Sequence, residues 1–302
     1  MTYIKLIFTA FFWGGTFIAG KGLAGQVTPY SAAFLRFAIA SFFLVLLVIK
    51  TEKRLPGING RQAISILLGG LTGIFAYNIL FFTGLTMINA NRASLIIATN
   101  PIFISLASAL LFKERLTLLK LSGLILSVSG ALVIISDGSP ADIFKTGIGK
   151  GELAIFGCVA SWVSYSILGK PLMKNFSPLV AVCYSSLAGT ALLFFPALFK
   201  GVFFHIPDYG IQEWGCLFYL GFFGTVLGFY WYYQGIKRIG PTKSGVFINF
   251  VPVSALILAY FILDEPVTRD IILGAVLVVS GVFLTNYSRP PAQTAAKTQT
   301  LN

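Results

Sequence analysis

Residues 3–136 of this chain are repeated, in order, by residues 151–287. The run Ala93-Ser94-Leu95-Ile96-Ile97-Ala98-Thr99-Asn100-Pro101 leads to Phe112-Lys113-Glu114-Arg115-Leu116-Thr117, then to Leu121-Ser122-Gly123 and Val128-Ser129-Gly130. Adding 151 carries Pro101 to Pro252, Glu114 to Glu265, Gly123 to Gly274, Ser129 to Ser280 and Gly130 to Gly281. The same offset carries Gly70 to Gly221, Gly73 to Gly224, Gly84 to Gly235 and Arg92 to Lys243. Nearer the N-terminus the offset is 149: Trp13 falls on Trp162, Lys21 on Lys170 and Pro29 on Pro178. Matches of Gly and Ser arise easily by chance, but Trp, Pro and Glu matched at fixed offsets mark an internal duplication.

Each copy is too apolar for water. Hydrophobic residues make up 56% of the chain and charged residues 11%, where a soluble domain carries about 25% charged residues. Ten segments approach the roughly 20 apolar residues that cross a bilayer as a helix: 3–21, 30–50, 62–85, 92–112, 117–136, 151–169, 178–200, 212–236, 243–263 and 270–287. The first begins at Tyr3 with almost no basic n-region and no small-residue cleavage site, which reads as a retained helix. Residues 288–302, opening Ser288-Arg289-Pro290-Pro291, read as a disordered cytoplasmic tail. The predicted fold is an all-α polytopic membrane protein of ten transmembrane helices.

The net charge of +12 sits in short runs between apolar segments, a pattern of membrane topology and not of nucleic-acid binding. With the N-terminus inside, fifteen of the 22 basic residues lie on the cytoplasmic side and six (Lys21, Arg92, Lys145, Lys150, Lys200 and Arg269) outside; Arg36 lies within the second helix. The bias places both termini in the cytoplasm. Each copy then holds five helices, and an odd number inserts the second copy upside down: an inverted-topology repeat, common in carriers that alternate between two faces.

The motifs Phe12-Trp13-Gly14-Gly15-Thr16-Phe17, Pro29…Arg36-Phe37 and Asn100-Pro101…Lys113-Glu114-Arg115-Leu116-Thr117…Gly123…Ser129-Gly130 resemble the EamA-type repeat of the drug/metabolite transporter superfamily. The second copy, Pro252…Asp264-Glu265-Pro266-Val267-Thr268…Gly274…Ser280-Gly281, resembles its partner. The resemblance spans residues 3–287 and implies a secondary carrier of small metabolites in a bacterial inner membrane, with amino-acid export a frequent activity. Position 185, which matches Arg36, is Ser185, so a charge read by Arg36 is read by one half only.

The ten acids all lie in loops or at helix ends, and the lone His205 lies in a loop, so no carboxylate or histidine sits at mid-membrane as in most proton-coupled carriers. This favours facilitated export or exchange, or coupling through Glu114 or Glu265. Cys158, Cys183 and Cys216 fall in apolar segments without metal-site or disulfide spacing. No His/Cys/acid cluster and no nucleotide loop points to an enzyme, and no metal or cofactor is expected.

The candidate substrate-binding residues are polar or aromatic groups within helices: Trp13 and Trp162, Tyr77 and Asn78, Asn100 and Asn249, Tyr230 and Arg36. Arg36 has three readings: snorkelling to the headgroups, pairing with another helix, or binding a substrate carboxylate. Pro101 and Pro252 are expected to kink helices four and nine, freeing the carbonyls of Ile97 and Ile248. For gating, the repeat predicts two pairs, Lys21 with Glu265 at the outer mouth and Lys170 with Glu114 at the inner one, formed one at a time. The function read from these residues is export of a small polar metabolite such as an amino acid or derivative. A passive channel and an uptake permease for a sugar or other small metabolite are the alternatives. The partners expected are that small molecule and the bilayer, not nucleic acid; monomer and homodimer are both left open.

Overall fold

Two helix starts, 149 residues apart, carry the same signal: Thr28-Pro29 and Ser177-Pro178. In the computed structural model both work as N-caps. The Thr28 hydroxyl accepts the N–H of Ser31, and the Ser177 hydroxyl that of Val180. Proline follows at the first helical position, where its missing N–H removes nothing the helix uses. Asn59 and Gln62 form a reciprocal capping box at a third start.

The structure describes residues 1–100, 102–103, 107, 118–135, 148–173, 176–239, 247 and 250–286. The helices are α1 (Thr2–Gly22), α2 (Pro29–Glu52), α3 (Gly60–Met87), α4 (Ala90–Ile97), α5 (Leu118–Ile135), α6 (Lys150–Met173) and α7 (Pro178–Phe199). They continue with α8, which runs through Ile211–Phe218, Tyr219–Leu227 and Gly228–Ile239, then α9 (Val251–Leu263) and α10 (Arg269–Asn286). Each predicted apolar segment overlaps one of these helices among the described residues. Among the described residues five helical stretches are long and apolar enough to cross a membrane: Thr2–Gly22, Pro29–Glu52, Gly60–Met87, Pro178–Phe199 and Ile211–Tyr232.

The surface is apolar, unlike that of a soluble protein, and between the helices small residues are buried alongside large ones such as Phe37 and Phe81. Phe42, Phe195 and Phe261 are exposed, whereas Ser31, Ala33, Ala40, Ser185 and Ser186 are fully buried. In lipid, burying a large side chain gains little, so helices associate where small residues let backbones approach. The glycines show it. A Cβ at Gly70 would lie 3.0 Å from the carbonyl of Ser185, and one at Gly221 would lie 2.9 Å from the carbonyl of Arg36.

Those contacts recur between the halves. α2 packs on α7, and α5 on α10. α3 packs on α6, as α8 does on α1; α4 packs on α6, as α9 does on α1; α7 packs on α3, as α2 does on α8. Renumbering each helix by five exchanges the members of every such pair.

Two findings depart from uniform helices. Gly70–Ala76 in α3 and Tyr219–Leu227 in α8 are π-helical, and adding 151 to the first places it inside the second. Segments four and nine were expected to be continuous and kinked. Instead segment four is interrupted after Ile97 by a turn at Ala98 and Thr99 and is helical again at Asn100, Ile102 and Phe103, and α9 begins at Val251 with Pro252 in its first turn. Proline that would break a helix interior is harmless in a first turn, and Pro252 sits in one.

Candidate functional site

The site is built where α2 meets α3 just past its π stretch and meets the π stretch of α8. Arg36 lies seven residues into α2, roughly 10 Å from its N-terminal end, and only 7% of its surface is exposed. Its Nη1 donates to Asn78 Oδ1 at 3.0 Å and its Nε to Thr225 Oγ1 at 3.3 Å. Asn78 follows the π stretch of α3, and Thr225 lies inside that of α8. One guanidinium therefore ties both distorted helices to α2. Asn78 is oriented by its own Nδ2, which donates to the carbonyl of Ile74, and the Thr225 hydroxyl lies 2.9 Å from the carbonyl of Leu220, five residues back. Of the three readings of Arg36, snorkelling is excluded by these inward bonds. Both partners are neutral. A charged side chain at a helix centre costs about 2.5–3.5 kcal/mol on insertion scales, and these two bonds satisfy donors without neutralising the charge.

Beside Arg36 stands an aromatic wall. Trp13 Nε1 donates to the carbonyl of Gly224 at 2.9 Å. Its ring lies 5.3 Å from Tyr232 and 5.5 Å from Phe229. Phe229 continues to Trp162 at 6.0 Å, and Trp162 to Tyr77 at 5.6 Å and Tyr165 at 5.5 Å. The repeat-matched tryptophans thus share one ring, Phe229. A Cβ at Gly224 would sit 2.6 Å from Thr16 and 4.0 Å from Arg36 Nη2, and one at Gly73 would overlap Tyr165. Thr16 and Tyr165 are themselves 149 residues apart.

Of the sequence candidates, Trp13, Arg36, Tyr77, Asn78 and Trp162 converge. Asn100 is buried with its Oδ1 unpaired among the described residues, away from these contacts. Tyr230 is replaced in the wall by its neighbours Phe229 and Tyr232, because α8 presents those two toward the tryptophans. Asn249 and Glu114 lie outside the described residues. Thr225, Phe229, Tyr165 and Tyr232 were not anticipated. Phe229 had a signal, since 229 is the repeat match of Asn78.

Two halves that exchange contacts around a buried polar and aromatic centre are matched by two copies of one family model: the EamA-like transporter family matches residues 1–136 and 149–287. The chain belongs to the EamA-like transporter family. It is 32% identical over 280 residues to the uncharacterized transporter YyaM of Bacillus subtilis (strain 168), covering 93% of this chain and 92% of that one. It is 29% identical over 289 residues to a probable terminal-alkyne amino-acid exporter of Streptantibioticus cattleyicolor, covering 93% and 92%. A crystal structure of a protein 22% identical in sequence shares the fold with a TM-score of 0.65, covering 93% of this chain and 97% of that one. This EamA-like chain is a multi-pass membrane protein of a transporter family, and its expected partners are a small molecule and the bilayer.

In this EamA-like transporter the residues proposed for gating take unexpected partners. Lys21 does not bond Glu265. Its Nζ donates to the carbonyls of Leu85 and Ile88, at 3.0 and 2.9 Å, at the C-terminal end of α3. Glu265 accepts the N–H groups of Ala90 and Asn91, at 2.8 and 3.0 Å, at the N-terminal end of α4. A cation on the free carbonyls of one helix and a carboxylate on the free N–H groups of the next both satisfy orphan groups and oppose the helix dipoles. The two residues brace one joint, Ile88–Asn89, from its two sides. Arg92 Nη1, one turn into α4, pairs with buried Glu152 at 3.3 Å. Lys170 lies on α6, its proposed partner Glu114 beyond the described residues.

Proposed function

We propose that this protein is a secondary carrier that exports a small polar metabolite, such as an amino acid or derivative, by alternating access. The observation that carries the proposal is the pair of π stretches, one in each half, joined across the centre by Arg36 through Asn78 and Thr225. A π turn marks a helix that is not held in one regular register, and such turns gather at functional sites. Two of them, on opposite halves and against a shared polar centre, give a carrier one hinge for each face. Carriers of this build keep their substrate site near mid-bilayer between repeats.

The arrangement proposed is ten transmembrane helices in two inverted five-helix repeats, residues 3–136 and 151–287, in a bacterial inner membrane with both termini cytoplasmic. The exchange of helix contacts between halves and the basic bias of the loops support it. Trp13, Trp162, Tyr77, Asn78 and Arg36 are proposed to line the substrate site. Access from outside is proposed to run through the joint braced by Lys21 and Glu265, and from inside past Lys170 and Glu114. The exporter relative of Streptantibioticus cattleyicolor supports the substrate class.

The test is counterflow in proteoliposomes loaded with the twenty protein amino acids. A carrier gives saturable efflux, accelerated by the same amino acid outside; non-saturating flux that ignores the other side identifies a channel. A reporter fused after Asn302 is expected in the cytoplasm and one inserted at Gly138 outside. Cytoplasmic signals at both would remove the inverted repeat.

A further inference from the structure

Among the described residues the buried Arg36 guanidinium has no carboxylate as a counter-charge. It has five N–H donors, and two are used, one on Asn78 and one on Thr225, both neutral. The buried acids Glu152 and Glu265 are partnered elsewhere, with Arg92 and with the N–H groups of Ala90 and Asn91. Of the remaining Arg36 donors, one is on Nη1 and two are on Nη2, which lies 4.0 Å from where a Cβ on Gly224 would sit. Buried charges are ordinarily paired, and a guanidinium fork matches a carboxylate at two points.

The other half does not repeat this chemistry. The match of Arg36 is Ser185, and the match of Asn78 is Phe229. Ser185 is fully buried, and Phe229 is the ring shared by Trp13 and Trp162. The centre is therefore cationic on one side and aromatic on the other, in a fold whose contacts are otherwise exchanged between halves.

We infer that Arg36 reads a single carboxylate on the transported molecule, and that this carboxylate is required. Asn78 and Thr225 hold the fork in place for it, and the wall of Trp13, Phe229, Trp162 and Tyr77 receives the remainder of the molecule. That wall suits an apolar or aromatic body, and its ring faces also attract an ammonium group. A molecule with two carboxylates, or a phosphate dianion, brings a second negative charge to a site with one cation. The inference rests on the carrier reading above and adds the substrate's obligatory charge.

The experiment loads proteoliposomes with matched sets: each amino acid, its decarboxylated amine, its amide, the corresponding monocarboxylate without the amine, dicarboxylates and phosphate esters. Mass spectrometry follows which leave faster than from protein-free vesicles. Only monocarboxylates and amino acids with one carboxylate are expected to leave. Arg36→Gln is expected to abolish this efflux, and Arg36→Lys to retain part of it. Amines or amides leaving as fast as their parent carboxylates would overturn the inference while the carrier reading stands. Dianions leaving at that rate would also overturn it. No efflux of any compound from the wild type would overturn both. Asn78→Asp gives a second test in a protein that keeps the bond to Arg36. An internal carboxylate would occupy the fork and raise KM for carboxylates at least tenfold, with a smaller change in kcat. Wild-type KM in Asn78→Asp would show that Arg36 is structural and would overturn the inference.

Discussion

Ser41 Oγ and Thr190 Oγ1 lie 3.1 Å apart, and the 149 residues that separate them are the offset that carries Trp13 to Trp162. Two positions matched by the repeat thus touch each other across the halves. α2 and α7 cross at this pair, and the same helices carry Arg36 and its match Ser185. A Ser41→Cys/Thr190→Cys protein, with Cys158, Cys183 and Cys216 replaced by Ser, is expected to form an intramolecular disulfide under mild oxidation. Hydroxyls in contact put the Cβ atoms near the roughly 3.5–4.5 Å that a disulfide needs. Neither single cysteine should shift on a non-reducing gel. Absence of cross-linking in the double variant would separate α2 from α7 at this level.

Trp13 contributes a ring and a donor, and the two can be tested apart. Trp13→Phe keeps an aromatic face toward Phe229 and Tyr232 but removes the bond to the Gly224 carbonyl inside the π stretch. Trp13→Ala removes both, and Trp162→Ala breaks the wall on the other half. Each alanine variant is expected to slow transport roughly tenfold or more, the effect of about 1.4 kcal/mol, while eluting as a single folded species. Trp13→Phe should fall between wild type and Trp13→Ala. Wild-type transport in both alanine variants would place the substrate elsewhere.

Glu265→Gln tests the joint between α3 and α4. The amide offers one neutral acceptor where the carboxylate offered two charged ones to Ala90 and Asn91. Bonds to charged groups are worth about 1.5–3 kcal/mol, so a lowered thermal midpoint in detergent is expected. A cysteine at Ala93 should also become more accessible to a membrane-impermeant thiol reagent from outside. Lys21→Met, which releases the carbonyls of Leu85 and Ile88, should act in the same direction. If Glu265→Gln changed neither the midpoint nor the labelling, the joint would not govern access.

Close backbone approach at the π stretches predicts a graded glycine series. A Cβ at Gly221 meets the Arg36 carbonyl at 2.9 Å, and one at Gly70 the Gly189 nitrogen at 2.7 Å, both backbone atoms that cannot swing aside. Gly221→Ala and Gly70→Ala are each expected to destabilise by about 1–3 kcal/mol, as overpacking does. Gly215, in the same helix as Gly221, has nothing within 4 Å. Gly215→Ala should stabilise slightly, because alanine is the better helix former by roughly 0.5–1 kcal/mol. Equal thermal midpoints for Gly215→Ala and Gly221→Ala would contradict the packing at α2.

What could be read in advance was whatever depends on local order along the chain. Thr28-Pro29 and Ser177-Pro178 announced their helices because capping involves only near neighbours. The tryptophans were found through the repeat, and they meet in one wall. Tyr230 was chosen over Phe229 and Tyr232 because a run of five aromatic residues does not reveal which face α8 turns inward. The Lys21–Glu265 pair, expected in only one of two states, is not formed in this one, for a related reason. Topology puts the two charges at one end of the bundle, but the backbone groups of Leu85, Ile88, Ala90 and Asn91 compete for them, and backbone groups have no letter in the sequence.

The sequence alone determined that this chain is helical, membrane-embedded and duplicated, with an arginine in one half and a serine at its match. Those properties follow from the order of apolar and charged residues, since in lipid a backbone must close its own hydrogen bonds and the helix does so locally. Only the tertiary structure decided that Arg36 meets Asn78 and Thr225, that Phe229 joins Trp13 to Trp162, and that Ser41 meets Thr190. Lipid-facing and bundle-facing positions are equally apolar, so hydrophobic pattern does not select the face a helix turns inward. That choice is made by small residues permitting close approach and by buried polar groups finding partners on other helices.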